Sequence, residues 1–190
     1  MGILIQFCGL SGAGKTTLAN ALAEKWRQNG RKVMVMDGDD YRQSLCKDLG
    51  FSKADRLENV RRIKEEAKRI SAEYDLVLLS IINPFEAGRK LVFSKEEMEL
   101  VWIKCGLSTL RARDTKGLYF KAHLPDGHPD KIYNLTGVND AFEVPGAAAL
   151  VIETDVLGFE ESLECLNRYL EGKELEGKDL EKKRQELLQG

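Results

Sequence analysis

Several things are scarce or missing in this chain of 190 residues, and each absence narrows what it can be. Charge is nearly balanced, 29 basic against 31 acidic residues, for a net charge of -2. No nucleic-acid-binding surface is therefore expected, and a nucleotide is the better anionic partner. No apolar stretch approaches the roughly 20 residues that cross a bilayer. The first residues form an apolar run without the basic stretch of an export signal, so the expectation is a soluble, cytoplasmic protein with no membrane partner. Four cysteines, Cys8, Cys46, Cys105 and Cys165, lie far apart without a C-x-x-C spacing. That excludes a zinc ribbon or disulfide framework and leaves them expected as small, buried, reduced side chains. The two histidines, His123 and His128, have no metal-ligand spacing around them and are expected at the surface. There is no internal repeat and no low-complexity linker. With 43% hydrophobic residues the chain can bury one core, and a single domain is expected.

What is present begins at residue 3. The run ILIQFCGLSGAGKTT is a hydrophobic strand, a glycine-rich turn and then a lysine and two threonines. It fits G-x-x-x-x-G-K-[ST], with Gly9, Gly14, Lys15 and Thr16 at the fixed positions. Glycines let the backbone N–H groups of Ser11, Gly12, Ala13 and Gly14 turn onto phosphate oxygens, and the helix starting here, with Thr17 in its first turn, adds the positive end of its dipole. Lys15 is expected to reach the β- and γ-phosphates of ATP, and the Thr16 hydroxyl to ligate Mg²⁺.

Apolar runs recur at Ile3–Cys8, Val33–Met36, Leu76–Ile82, Leu100–Ile103 and Leu150–Ile152, separated by helical periodicity or loop chemistry. That alternation predicts an α/β fold of three layers, a mainly parallel five-stranded sheet between helices, as in P-loop NTPases. A first helix is predicted from Lys15 to Gln28, stopping at Asn29-Gly30. A second starts near Asp55, where Asp55 and Glu58 have capping-box spacing and Val60, Ile63, Ala67 and Ile70 share a face; Arg61, Arg62, Lys64, Glu65 and Lys68 are expected mostly solvated on the other. Between Leu110 and Phe142 the periodicity fails and basic residues, glycine and proline accumulate, which points to a lid over about 113–142. The kinase-like domain is expected to fill 1–172, with 173–190 a charged tail, helical or disordered.

The chain lacks the marks of two P-loop classes. A guanine-specifying N/T-K-x-D is absent, since Thr115-Lys116-Gly117-Leu118 has no aspartate, and the D-x-x-G runs, Asp114 to Gly117 and Asp155 to Gly158, come too late. A mechanical ATPase would end the third strand on a magnesium-holding acid, yet that run leads into Ser80, Asn83 and Pro84. The acids instead follow the second strand as Asp37, Asp39 and Asp40. Carboxyl ends of parallel strands line the ligand crevice, so Asp37 and Asp39 should face the phosphate loop, organise Mg²⁺ and orient an acceptor hydroxyl. That is the chemistry of a small-molecule kinase.

Three further blocks carry a resemblance. Asp37 to Arg62, DGDDYRQSLCKDLGFSKADRLENVRR, is similar to the adenylylsulfate kinase pattern D-G-D-N-x-R, D-L-G-F-S and D-R-x-E-N-x-R-R. Arg113 to Ala122 resembles that family's R-D-x-K-G-L-Y-x-K-A, and Leu135 to Pro145 its F-T-G-[IV]-x-x-x-[YF]-E-x-P. The resemblance implies transfer of the ATP γ-phosphate to the 3′-hydroxyl of adenosine 5′-phosphosulfate, and it admits a homodimer. Carried over, Arg42 and Arg56 would grip the phosphosulfate, Asn59 would hold the acceptor and Phe51 would stack on its adenine, with Ile82, Asn83 and Leu135 also on the acceptor. Guanidinium forks and an aromatic face suit those tasks independently. Asp39 is expected nearest the acceptor hydroxyl and Asp37 on the magnesium side, two roles that could be exchanged. Arg113, Lys116 and Lys121 would close from the lid to exclude water.

The chain departs from that pattern at Leu135, where the family has phenylalanine, at Asn83-Pro84-Phe85 in place of Ser-Pro-Tyr, and at His123 followed by an insertion from Leu124 to Tyr133. Two alternatives accordingly stand beside the leading expectation. One is a sister kinase acting on the ribose 3′-hydroxyl of another nucleotide, such as a cytidine carrier in capsule assembly. The other is a non-catalytic nucleotide-binding subunit, against which Lys15, Thr16, Asp37 and Asp39 speak.

Overall fold

Five apolar runs form one sheet because each has residues to bury on both of its faces. They are β1 (Ile3–Cys8), β2 (Val33–Asp37), β3 (Leu76–Ser80), β4 (Glu99–Lys104) and β5 (Leu150–Glu153), paired in the order β2-β3-β1-β4-β5 with every pairing parallel. Ile5 lies opposite Leu78, and Ile103 opposite Ile152. The computed structural model describes the backbone of residues 2–92 and 98–189 and the side chains of residues 2–91 and 98–175.

Among the described residues seven helices surround the sheet: α1 (Lys15–Gln28), α2 (Gly38–Gln43), α3 (Lys53–Ile70), α4 (Glu86–Val92), α5 (Leu107–Arg113), α6 (Leu118–Ala122) and α7 (Phe159–Gln189). Strand alternation splits the core between the two faces of the sheet. Ile5, Phe7, Leu76 and Leu78 pack with Leu18 and Leu22 of α1 and Leu166 and Leu170 of α7. Leu4, Val77 and Leu79 pack with Val60, Ile63 and Ala67 of α3. Burying each such aliphatic side chain contributes about 1.5–3 kcal/mol against the entropy of ordering it.

Local signals decide most helix ends. α1 spans the predicted residues and stops at Gly30, whose φ of 77° is the left-handed conformation that favours glycine. α3 begins earlier than the Asp55–Glu58 spacing suggests. Ser52 is its cap: its Oγ accepts from the Asp55 N–H at 3.1 Å and donates to Asp55 Oδ2 at 2.7 Å. A serine three residues upstream satisfies the same orphan donors, and Glu58 is left to pair with Arg61 and Arg62 at 2.7 and 2.9 Å. The outer face of α3 is thus laced with ion pairs, and Arg62 also reaches Asp48 at 2.7 Å.

β3 ends at Ser80, two residues before the apolar run does, because Asn83 turns the chain with φ 41° and Pro84 has no N–H to continue a ladder. The stretch from Leu110 to Phe142 contains the end of α5, the short α6 and successive turns. Asp114 caps α6 by accepting from the N–H groups of Tyr119 and Phe120 at 3.0 and 2.8 Å. Asn139 closes the next turn, accepting from Leu135 N and donating to Ile132 O, both at 2.7 Å. α7 runs as one helix across residues 172 and 173, fastened to α1 where Trp26 Nε1 donates to Asn167 Oδ1 at 3.0 Å. Cys8, Cys46 and Cys105 are buried thiols as expected, but Cys165 is exposed because its position on α7 faces away from the sheet.

Candidate active site

The carboxyl ends of the strands open into a cleft of about 880 Å³, a size that suits nucleotides. At its floor β1 delivers the chain into the phosphate loop. Gly9 is required there for space, since a Cβ on it would stand 2.2 Å from the carbonyl oxygen of Ile103. Gly14 takes φ 98° before the first turn of α1. Two loop carbonyls are held from outside: Tyr119 donates its hydroxyl to Ser11 O at 2.8 Å, and Thr154 donates to Ala13 O at 2.9 Å.

Lys15 is only 8% exposed and donates from Nζ to Leu10 O at 2.9 Å. Burial pulls its pKa down from 10.5 to about 8, against the opposing pull of Cys8 and Asp39. The Cys8 thiol beneath the loop is pushed up to about 11, again chiefly by burial. Thr16 Oγ1 donates to Asp37 Oδ2 at 2.5 Å and lies 2.9 Å from Ser80 Oγ. Three oxygen-bearing side chains from α1, β2 and β3 thus meet at one point. Asp37 also caps α2, its Oδ1 accepting from the Asp39 N–H at 2.8 Å, which sets the two aspartates on successive turns of chain at the same rim. Asp39 forms an ion pair with Lys116, bringing the segment after α5 to the cleft mouth.

The other end of the cleft is built around Phe51, which is half exposed. The Arg42 guanidinium lies over its ring at 4.7 Å and that of Arg56 at 5.5 Å. Arg42 donates to Gly50 O at 3.0 Å. Arg56, only 6% exposed, donates to Phe51 O at 3.0 Å, Asn134 O at 2.9 Å and Asp140 Oδ2 at 2.7 Å. Beside them Asn59 Nδ2 and Thr136 Oγ1 are buried with no hydrogen-bond partner. Buried polar atoms are normally satisfied, so two unpaired ones lining one cleft are groups available to a ligand.

Of the residues singled out from the sequence, Ser11, Gly12, Ala13, Gly14, Lys15, Thr16, Thr17, Asp37, Asp39, Arg42, Phe51, Arg56, Asn59, Ile82, Asn83, Arg113 and Leu135 all line this cleft. Gly9 lies beneath it. Lys121 does not: it is exposed on α6, outside the cleft lining, because the one-turn helix aims Tyr119 and Ala122 inward. Arg113 is held at the rim by Thr154 O at 2.6 Å. His123 and His128 are exposed, His123 contacting Tyr119 O at 2.7 Å through its ring nitrogen. Sequence reasoning missed Ser80, Thr136 and Thr154 as site residues. A polar residue at a strand's carboxyl end was the available signal for Ser80 and Thr154, at the ends of β3 and β5.

A phosphate loop, the paired carboxylates Asp37 and Asp39 and an arginine pair stacked on Phe51 at the far end define a P-loop kinase of small molecules. The residue pattern of adenylylsulphate kinase matches residues 1–153, and the chain belongs to that family. An adenylyl-sulfate kinase of Geotalea uraniireducens is 40% identical over 172 residues, 89% of this chain and 80% of that protein. One of Bacillus pumilus is 41% identical, covering 90% and 85%. Among solved structures, the Mycobacterium tuberculosis APS kinase CysC in complex with AMPPNP and APS superposes with a TM-score of 0.78 at 32% identity, over 87% of this chain and 96% of that one. Shikimate kinase from Aquifex aeolicus, at 15% identity and a TM-score of 0.56, shares the fold.

Proposed function

We propose that this protein is an adenylylsulfate kinase, moving the γ-phosphoryl group of ATP to the 3′-hydroxyl of adenosine 5′-phosphosulfate. The observation that carries this reading is the two-ended cleft, with Lys15 and the phosphate loop at one end, the Arg42–Phe51–Arg56 cluster at the other and Asp39 at the rim. Lys15 compensates the charge that spreads onto the transferred phosphoryl. Asp39 aligns the acceptor hydroxyl and receives its proton, and Arg42 and Arg56 hold the phosphosulfate while Phe51 stacks on the adenine. Thr16, Asp37 and Ser80 form a group of hard oxygen donors, the chemistry Mg²⁺ takes, and Thr16 with Asp37 would hold it. Bound there, Mg²⁺ would supply charge neutralisation between the β- and γ-phosphates.

In this reading residues 1–172 are the kinase domain, 113–142 its lid and 173–190 an appended charged segment. Lys116 and Arg113 act from the lid, and Lys121 reaches the site only if the lid moves. The protein works in the cytoplasm, as a homodimer. A coupled ADP-release assay over a panel of nucleotides tests the substrate. Turnover with adenosine 5′-phosphosulfate at the highest kcat/KM supports the proposal. A preference for a cytidine nucleotide would redirect it to the sister activity, which Leu135 favours by replacing an aromatic wall with an aliphatic one. No turnover with any acceptor would leave only the nucleotide-binding subunit.

A further inference from the structure

Among the described residues Asn83 is the non-glycine residue whose φ falls in the left-handed region, at 41°, and it is also 3% exposed and lines the cleft. Asparagine tolerates this conformation better than most side chains, but a buried residue held in it needs surroundings that enforce it. Those surroundings are specific. Its side-chain Nδ2 donates to Oε1 of Gln6 at 3.2 Å, and Gln6 is a fully buried amide on the central strand β1. By alternation Gln6 shares the sheet face of Leu4, where apolar side chains otherwise fill the core. An amide there is costly to bury, and among the described residues its Oε1 meets Asn83 while its Nε2 has no hydrogen-bond partner.

The backbone of Asn83 is pinned as well. Arg89 of α4, 1% exposed, donates from Nη1 to Asn83 O at 3.0 Å and from Nη2 to Glu143 O at 2.8 Å. Glu143 N donates in turn to Pro84 O at 2.9 Å. Gly88 leaves the room: a Cβ on it would lie 2.4 Å from Asn83 Oδ1. The turn after β3 and the segment that follows Asp140 are therefore locked to one another through a buried node. Those two stretches border the acceptor end of the cleft, contributing Ile82 and Pro84 from one side and Leu135 and Thr136, a few residues upstream, from the other.

We infer that the buried Gln6–Asn83 amide pair is a positioning device that sets the spacing of the two walls around the acceptor nucleotide. Neither side chain acts on the reacting atoms. The inference rests on the kinase reading above and deepens its acceptor site.

The test compares wild type with Gln6→Leu, Asn83→Gly and the double variant, measuring KM for adenosine 5′-phosphosulfate, KM for ATP, kcat and Tm. Gln6→Leu removes the anchor while filling the same space, and Asn83→Gly keeps the backbone conformation while removing the amide. Each single variant is expected to raise the acceptor KM about three- to tenfold, the scale of one net hydrogen bond, with ATP KM and kcat within about twofold. The double variant should be no worse than the worse single one, since both remove one interaction. A lowered Tm with an unchanged acceptor KM makes the pair structural only and overturns the inference, as do equal rises in both KM values. Absence of wild-type turnover with adenosine 5′-phosphosulfate would instead defeat the substrate assignment; the same comparison is then made with whichever nucleotide in the panel is phosphorylated.

Discussion

Replacing Lys15 with methionine should make the protein more stable and almost inactive at the same time. Lys15 is 92% enclosed by the fold in its accessible surface, being 8% exposed, and folding lowers its pKa from 10.5 to about 8. At about 1.4 kcal/mol per pH unit, holding that ammonium charged inside the loop costs on the order of 3 kcal/mol. Methionine fills similar space without charge but forfeits the bond to Leu10 O, a loss of about 1 kcal/mol. The expected gain at pH 7 with no nucleotide added is about 2 kcal/mol, or about 4–8 °C in Tm for a chain of this length. Below about pH 8 the lysine is charged in both folded and unfolded chains, and the whole cost is present. Between about pH 8 and 10.5 the folded lysine has lost its proton while the unfolded one keeps it. The unfolded state then binds more protons, wild-type stability rises with pH, and the advantage of the variant shrinks. Phosphoryl transfer in the variant should fall at least about a hundredfold, because the cation that answers transition-state charge is gone. Thermal unfolding of both proteins at pH 7, 8.5 and 10, together with ADP-release rates, measures all of this. A variant no more stable than wild type at pH 7, or a gap that does not narrow above pH 8, would refute the buried-charge reasoning; near wild-type turnover would refute the role of Lys15.

Three other substitutions probe separate parts of the site. Asp39→Asn should lower kcat by about a hundredfold or more while ATP affinity by calorimetry stays within about threefold, since the carboxylate works on the acceptor hydroxyl; lost ATP binding with retained rate would place Asp39 on the donor side. Leu135→Phe should strengthen binding of adenosine 5′-phosphosulfate by about 0.5–1.5 kcal/mol through a ring opposite Phe51, read as a lower acceptor KM. An unchanged or higher value would show that the base lies elsewhere in the cleft. Gly9→Ala should destabilise the fold by about 1–3 kcal/mol in urea unfolding, because its methyl group must displace the backbone of β4; wild-type stability would mean the strand yields freely.

What the amino-acid order determined by itself is local. The five apolar runs became the five strands, and α1 starts and stops where Lys15, Gln28 and Gly30 suggest, because strand pairing and helix capping draw on residues a few positions apart. Serine against aspartate as the cap of α3 was a contest within the same few residues, and Ser52 took it by accepting from the Asp55 N–H. The phosphate loop is legible for the same local reason: its glycines, lysine and threonine are consecutive. Tertiary structure decided whatever joins distant residues. Nothing in the sequence brings Lys116 to Asp39, 77 positions away, or sets Thr16 against both Asp37 and Ser80. The burial that lowers the pKa of Lys15, the two hydrogen bonds by which Gln6 and Arg89 pin Asn83 and the outward turn of Lys121 are likewise products of packing between layers. A side chain's charge and shape are written in the chain, but its neighbours and its access to water exist only once the sheet and helices have closed around it.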